Sequence, residues 1–180
     1  MSVTTATETF SRIVHHRLAA HRADARARLQ ALTPALAEEE IERLHTQAYA
    51  ALHADAQLKL NRLLLLELHA GVRSGKISAT DTVAQLQQFE AWAVSTEFAT
   101  HVAQRYPALN ARLDAAVHAR NDAAVELATR IAADRQALSS LLQRPAGKLL
   151  RVSFGRGDTH GGGRTVCRVT FEGGAVMYKP

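Results

Sequence analysis

Apolar residues recur at helical spacing through most of the chain and, beyond about residue 147, begin to alternate. Phe10, Ile13, Val14 and Leu18 form a first stripe, continued by Ala25, Leu29 and Leu32. Thr33-Pro34 reads as an N-cap followed by proline at the first helical position, with Glu38 to Glu40 near the end that favours negative charge. Ile41, Leu44 and Ala48 continue the buried face of that helix. A third helix is predicted from about Ala56 to Val72, closing near Gly75. It is apolar over much of its girth at Leu63 to Leu66, which predicts a central position in a bundle. Thr80 or Asp81 caps the next helix, whose face is Val83, Leu86 and Phe89, with Trp92 nearby. Ser95 or Thr96 restarts the pattern, and Pro107 ends the helix begun there. From Ala108 to Gln143 the helical pattern runs on with a break near Asn121-Asp122, and Leu127, Ile131, Leu138 and Leu142 line its last segment. Five to seven helices are expected, with no fixed-period repeat.

The texture then changes. Leu150, Val152 and Phe154 alternate with Leu149, Arg151 and Ser153, which predicts a strand. Cys167, Val169 and Phe171 share one face of a second strand, with Arg168 and Thr170 opposite. Gly173-Gly174 signals a hairpin turn, and Ala175 to Lys179 forms a third strand. The expected fold is mainly α with a small β element (α+β). A helical region over residues 1–146 is followed at 147–180 by a three-stranded antiparallel meander.

Composition supports that division, since eight of the ten glycines fall after residue 146. No apolar run approaches the ~20 residues needed to span a bilayer, so no membrane partner is expected. A single cysteine, Cys167, excludes an internal disulfide framework and favours a reducing, cytoplasmic setting. On its alternating strand it reads as a buried small residue. The net charge of +5 invites a nucleic-acid reading through Arg12, Arg17, Arg22, Arg26 and Arg28. A solvated helix face accounts for the same arginines, and nucleic acid is not the expected partner.

The most specific chemistry lies between the first two strands. Gly155, Gly157, Gly161, Gly162 and Gly163 place five glycines in nine residues, where backbone amides can approach a ligand and bind phosphate oxygens. Lys179 comes after the hairpin, on the third strand. A glycine loop between two strands and a lysine on the third match the entry of a kinase-like nucleotide lobe, and an ordinary glycine-rich loop with a solvated lysine is the alternative on spacing alone. It is not a Walker A loop, because no Gly-Lys-Ser/Thr and no helix come after the glycines.

The residues themselves carry a closer likeness. Gly157-Asp158-Thr159-His160-Gly161-Gly162-Gly163-Arg164-Thr165-Val166, then Phe171, Gly174 and Met177-Tyr178-Lys179-Pro180, resembles the dehydratase signature of class II (LanM-type) lanthipeptide synthetases. The usual form is Gly-Asp-Ser-His-Asn-Gly-Gly-Arg-Ser-Val, later followed by Val-Tyr-Lys-Pro-Arg. Upstream, Leu65, Glu67 and Leu68, Gly71-Val72, Phe89 and Trp92, Tyr106-Pro107-Ala108-Leu109 and Asp134 fit that family's helical region. The resemblance spans roughly residues 50 to 180, and the first ~45 carry no family signal.

The resemblance implies a dehydratase similar to lipid kinases in fold. Such enzymes use ATP and Mg²⁺ to phosphorylate serine and threonine of a leader-bearing precursor peptide, then eliminate phosphate to give dehydroalanine and dehydrobutyrine. A zinc-dependent cyclase domain further along the synthetase closes thioether rings. Residue by residue, Lys179 matches the lysine that meets the nucleotide phosphates, and Asp158 and His160 match loop residues of phosphate elimination. Arg164 matches a motif arginine, for which a phosphate contact is the expectation. Gly161 departs from the usual asparagine, so the loop lacks an amide that could order it.

In that family the metal-binding carboxylates lie downstream of the Tyr-Lys-Pro motif, so this chain is expected to be an inactive fragment without the remaining dehydratase and cyclase segments. No zinc site is expected, as neither Cys-x-x-Cys nor His-Glu-x-x-His occurs. His160-Gly161-Gly162-Gly163 also resembles an esterase oxyanion loop, but no Gly-x-Ser-x-Gly elbow accompanies it. The competing expectation is a noncatalytic helical module that binds a peptide or protein partner.

Overall fold

The computed structural model describes residues 5–33, 35–155 and 164–179. Among them are seven helices: α1 (Ala6–Arg17), α2 (Ala19–Gln30), α3 (Glu38–Arg73), α4 (Thr82–Ala93), α5 (Thr96–Arg105), α6 (Pro107–Ala133) and α7 (Arg135–Leu142). Three strands come next, β1 (Leu149–Ser153), β2 (Cys167–Phe171) and β3 (Gly174–Tyr178), in an antiparallel sheet of order β1-β2-β3. The fold is mainly helical α+β, as the pattern predicts. Strands begin just after the change of texture near Gly147. The compact units are drawn differently: Met1–Ala19 with His53–Leu113, and Ala20–Leu52 with Asp114–Pro180.

In the first unit, Thr5 and Glu8 close a capping box on α1, each side chain taking the other's backbone N–H. Phe10 meets Phe89 of α4 edge-on at 6.0 Å between ring centroids, and Arg12 pairs with Glu90 through two nitrogens. Asp81 caps α4 and Ser95 caps α5. Pro107, expected to end a helix, also begins the next one, because its missing N–H costs nothing in the first turn. The Leu63 to Leu66 stretch is not surrounded: Leu63 and Leu64 are buried, whereas Leu65 and Leu66 are 45% and 53% exposed. Only positions in phase with Ala56, Leu60 and Glu67 reach the inner side of α3.

In the second unit the sheet lies on helices. Leu29, Leu36, Ile41, Leu44, Leu127 and Ile131 form one core with Leu149, Val152, Cys167, Val169 and Phe171. A fully buried side chain of this size stabilises by about 1.5–3 kcal/mol.

Several boundaries differ from expectation. The second and third predicted helices are one, α3, since no glycine or proline interrupts residues 38–70. Thr33 lies in a turn after α2 and does not cap α3, which starts where the Ala37 N–H donates to the Glu40 carboxylate at 3.1 Å. Pro34 lies outside the described residues. The break expected at Asn121-Asp122 is absent because tertiary partners hold both residues within α6. Asn121 is buried and donates to the His21 carbonyl at 3.0 Å, and Asp122 pairs with Arg28 at 2.7 Å. The chain breaks instead at Asp134, between α6 and α7.

In β1 the expected alternation is shifted by a bulge between Leu149 and Arg151, so Leu149 and Val152 are both buried and Leu150 is exposed. The tight turn is Glu172-Gly173 and not Gly173-Gly174, as Phe171 pairs with Gly174. Gly173 is required there: a Cβ would collide with the Pro145 carbonyl, and its N–H donates to Ala146 O at 2.9 Å. Lys179 stands one residue beyond β3.

Glu40 joins these parts. Its buried carboxylate also accepts from the Leu149 N–H of β1 at 2.7 Å and from Arg135 of α7 at 2.6 Å. Burial pushes its pKa upward, but the hydrogen bonds from Leu149, Arg135 and Ala37 outweigh it and hold the carboxyl below its usual range. Stability from this group is therefore present above the usual carboxylate pKa of 4.5 and is lost as pH falls through the lower folded value. Glu40→Ala is expected to cost about 2–4 kcal/mol in denaturant unfolding at neutral pH. The difference from wild type should narrow on acidification; a constant difference down to pH ~3 would contradict the depressed carboxyl.

Candidate functional site

The glycine loop leaves the sheet after β1 and re-enters it at β2. Its described flanks are tied together: the Gly155 N–H donates to Thr165 Oγ1 at 3.2 Å across the neck. Gly155 sits at φ +70°, a left-handed turn that admits glycine without strain. Thr165 is buried, and its carbonyl accepts from the Cys167 thiol at 3.2 Å. Gly157, Asp158, His160, Gly161, Gly162 and Gly163, all candidate site residues, lie outside the described residues.

Topology sets where Lys179 stands. Cys167 pairs with Tyr178, so the end of β3 lies at the same end of the sheet as the exit from β1 and the entry to β2. Lys179 and the loop flanks therefore share one end of the meander. Alternation separates the faces. Cys167, Val169 and Phe171 are buried against helices, and Val176 and Tyr178 pack against the same core. Arg168, Ala175 and Met177 occupy the exposed face, and strand alternation puts the exposed Lys179 on that side. This open face also carries Arg151, and among the described residues neither arginine nor Lys179 forms an ion pair.

Arg164 is placed otherwise than a simple ligand contact would need. Its Nε donates to Glu126 Oε2 of α6 at 2.8 Å, and the other Glu126 oxygen accepts from Arg130 at 2.6 Å. These hydrogen bonds raise the Arg164 pKa and lower that of Glu126. The Arg130 guanidinium lies 5.5 Å from the Tyr178 ring centroid. Burial raises the Tyr178 hydroxyl pKa above its usual value, with Arg130 opposing. Phe154, Arg164, Cys167, Tyr178, Glu126 and Arg120 line a small cavity beside the neck. Sequence reasoning missed Glu126, Arg130 and Arg120. The only signal was the Glu126/Arg130 spacing of four, which reads as an ordinary solvated helix pair.

A second cluster lies in the other unit. Glu67, 2% exposed, accepts from His101 at 2.7 Å and from the Tyr106 hydroxyl at 2.6 Å, with Arg105 at 3.4 Å. These contacts satisfy a buried carboxylate and tie α3 to α5 and the start of α6. Among the described residues no group of three or more His, Cys, Asp or Glu is arranged to hold a metal ion, and no helix is long and apolar enough to cross a membrane.

Residues 106–180 match the family described as a domain of unknown function, DUF4135. The match starts at Tyr106 and takes in α6, α7, the sheet and the loop. Comparison with curated proteins gives no match.

Burial raises the Cys167 thiol above its usual pKa, despite its hydrogen bond to Thr165. A buried, protonated thiol reacts slowly. Labelling of the native protein by a disulfide reagent is expected to be at least about a hundredfold slower than of the unfolded chain; equal rates would mean that β2 is not covered.

Proposed function

We propose that this chain is the N-terminal part of the dehydratase of a class II lanthipeptide synthetase. The observation that carries the proposal is that the described stems of the glycine loop, Gly155 and Arg164, stand with Lys179 at one end of a three-stranded meander, in a chain whose sequence between those stems bears the motif. The family match at residues 106–180 supports it, since that domain is known in LanM-like proteins.

The substrate class is a leader-bearing precursor peptide with serine and threonine, and the phosphoryl donor is ATP with Mg²⁺. The residues present fit the phosphate end of a nucleotide. Lys179 offers an ammonium on the open face, and Gly155, where the loop begins, takes a left-handed turn. They do not by themselves fit the metal, since no cluster of ligands stands among the described residues. Those ligands would come from the downstream half of the enzyme.

Elimination from the phosphorylated side chain is a separate step. A base removes the α-proton, the Cα–H electron pair becomes the Cα–Cβ double bond, and the Cβ–O bond breaks to release phosphate. Asp158 and His160 are the candidates for moving that proton; a histidine beside a carboxylate exchanges protons near neutral pH. Arg164 would bind the leaving phosphate.

The test uses this chain joined to a downstream dehydratase half, a serine-containing precursor and ATP, with mass spectrometry as the readout. Dehydrated peptide is expected from the native residues, and neither phosphopeptide nor dehydrated peptide from Lys179→Ala. Asp158→Ala or His160→Ala should let phosphopeptide accumulate, with elimination slowed about a hundredfold or more. No nucleotide-dependent modification, with Lys179→Ala indistinguishable from the native chain, would favour a noncatalytic peptide-binding module.

A further inference from the structure

Glu126 stands where both limbs of the candidate site meet the helical layer. Through Oε2 it holds Arg164, the first described residue after the glycine loop, and through Oε1 it holds Arg130. Arg130 in turn lies over Tyr178, the residue before Lys179. Arg120 lines the adjoining cavity. Two arginines thus share one carboxylate and a third lines the cavity beside them, which leaves a surplus of positive charge for an anion.

The manner of attachment is informative. Arg164 is bound through Nε, and neither of its two Nη groups meets an acceptor among the described residues. Its side chain is 48% exposed. An arginine held at Nε, with no Nη acceptor among the described residues, presents a planar two-nitrogen fork, which suits bidentate binding of phosphate oxygens. Without Glu126 the same side chain would have several rotamers to lose on binding. Resting on the dehydratase proposal, we infer that Glu126 is a positioning residue that aims the Arg164 fork at the phosphate monoester of the phosphorylated precursor peptide.

Plain electrostatics and positioning give opposite signs for the same substitution. Removing a negative charge beside Arg164 should tighten anion binding if Glu126 merely competes with the ligand. It should weaken binding if Glu126 sets the geometry. The probe is a short peptide with one phosphoserine, titrated into this chain by calorimetry, with the unphosphorylated peptide as reference and circular dichroism as a check on folding.

Glu126→Gln is expected to weaken phosphopeptide binding about tenfold, and Arg164→Lys by a similar factor. Because both act through one guanidinium, the double variant should be no weaker than Arg164→Lys alone. Unchanged or tighter binding by Glu126→Gln, additive losses in the double variant, or no preference of the native chain for the phosphorylated peptide would each overturn the inference. The phosphopeptide is supplied ready-made and no nucleotide is present, so these outcomes are separate from a failure of ATP-dependent phosphorylation in the joined enzyme.

Discussion

A buried carboxylate at the start of α3 is the joint on which the second unit is assembled. Glu40 satisfies the first turn of its own helix through Ala37, the first strand through Leu149 and the last helix through Arg135. Arg135 also donates to Gly147 O at 2.6 Å, so the linker between α7 and β1 is held from the same centre. A buried charge with no partner would be costly, and here every partner belongs to a different element. The sheet therefore has one registration against the helices, with Leu149 and Val152 directed into the core on either side of the bulge. Everything at the far end of the sheet inherits that registration.

Charge distribution sharpens the picture beyond the net value of +5. The five arginines of the N-terminal segment are engaged. Arg12 pairs with Glu90, Arg17 with Asn110, Arg26 with Glu42 and Arg28 with Asp122, while Arg22 lies over the Tyr49 ring. Exposed ion pairs contribute little to stability and do not bar a polyanion, but the carboxylates of Glu90, Glu42 and Asp122 offset the charge of Arg12, Arg26 and Arg28. Arg151, Arg168 and Lys179 on the open face of the sheet have no such partners among the described residues. Three positive charges without an ion pair among the described residues thus stand together on the exposed face of the sheet.

Much of this architecture was legible in the sequence because burial imposes periodicity. The helical stripes, the Asp81 and Ser95 caps and the β2 alternation stem from local rules. What was not legible depends on distant partners. Asn121 looks like a helix breaker until the His21 carbonyl accepts its amide. Leu149 looks like an outward residue until the bulge turns it inward, and Thr33 looks like a cap until Glu40 takes that role from inside the helix. At the candidate site the glycines and Lys179 were visible as chemistry. Glu126 was not, since a carboxylate four residues before an arginine on a helix is commonplace, and only the return of Arg164 to the same helix distinguishes it.

The alternation of a single strand explains how this sheet can be both anchored and available. Tyr178 turns inward, where Arg130 covers its ring and the core receives it; Lys179 comes next on the opposite side, exposed. Adjacent residues thus fix the strand and present the ammonium, so neither task displaces the other. The loop stems divide the labour in the same way. Gly155 and Thr165 close the neck, and Arg164 is tethered to α6 by one nitrogen while its fork meets no acceptor among the described residues. Glycines between such stems carry little conformational preference of their own. Orientation at this end of the sheet must come from the stems, and the stems take it from the helical layer that Glu40 and Glu126 tie to the strands.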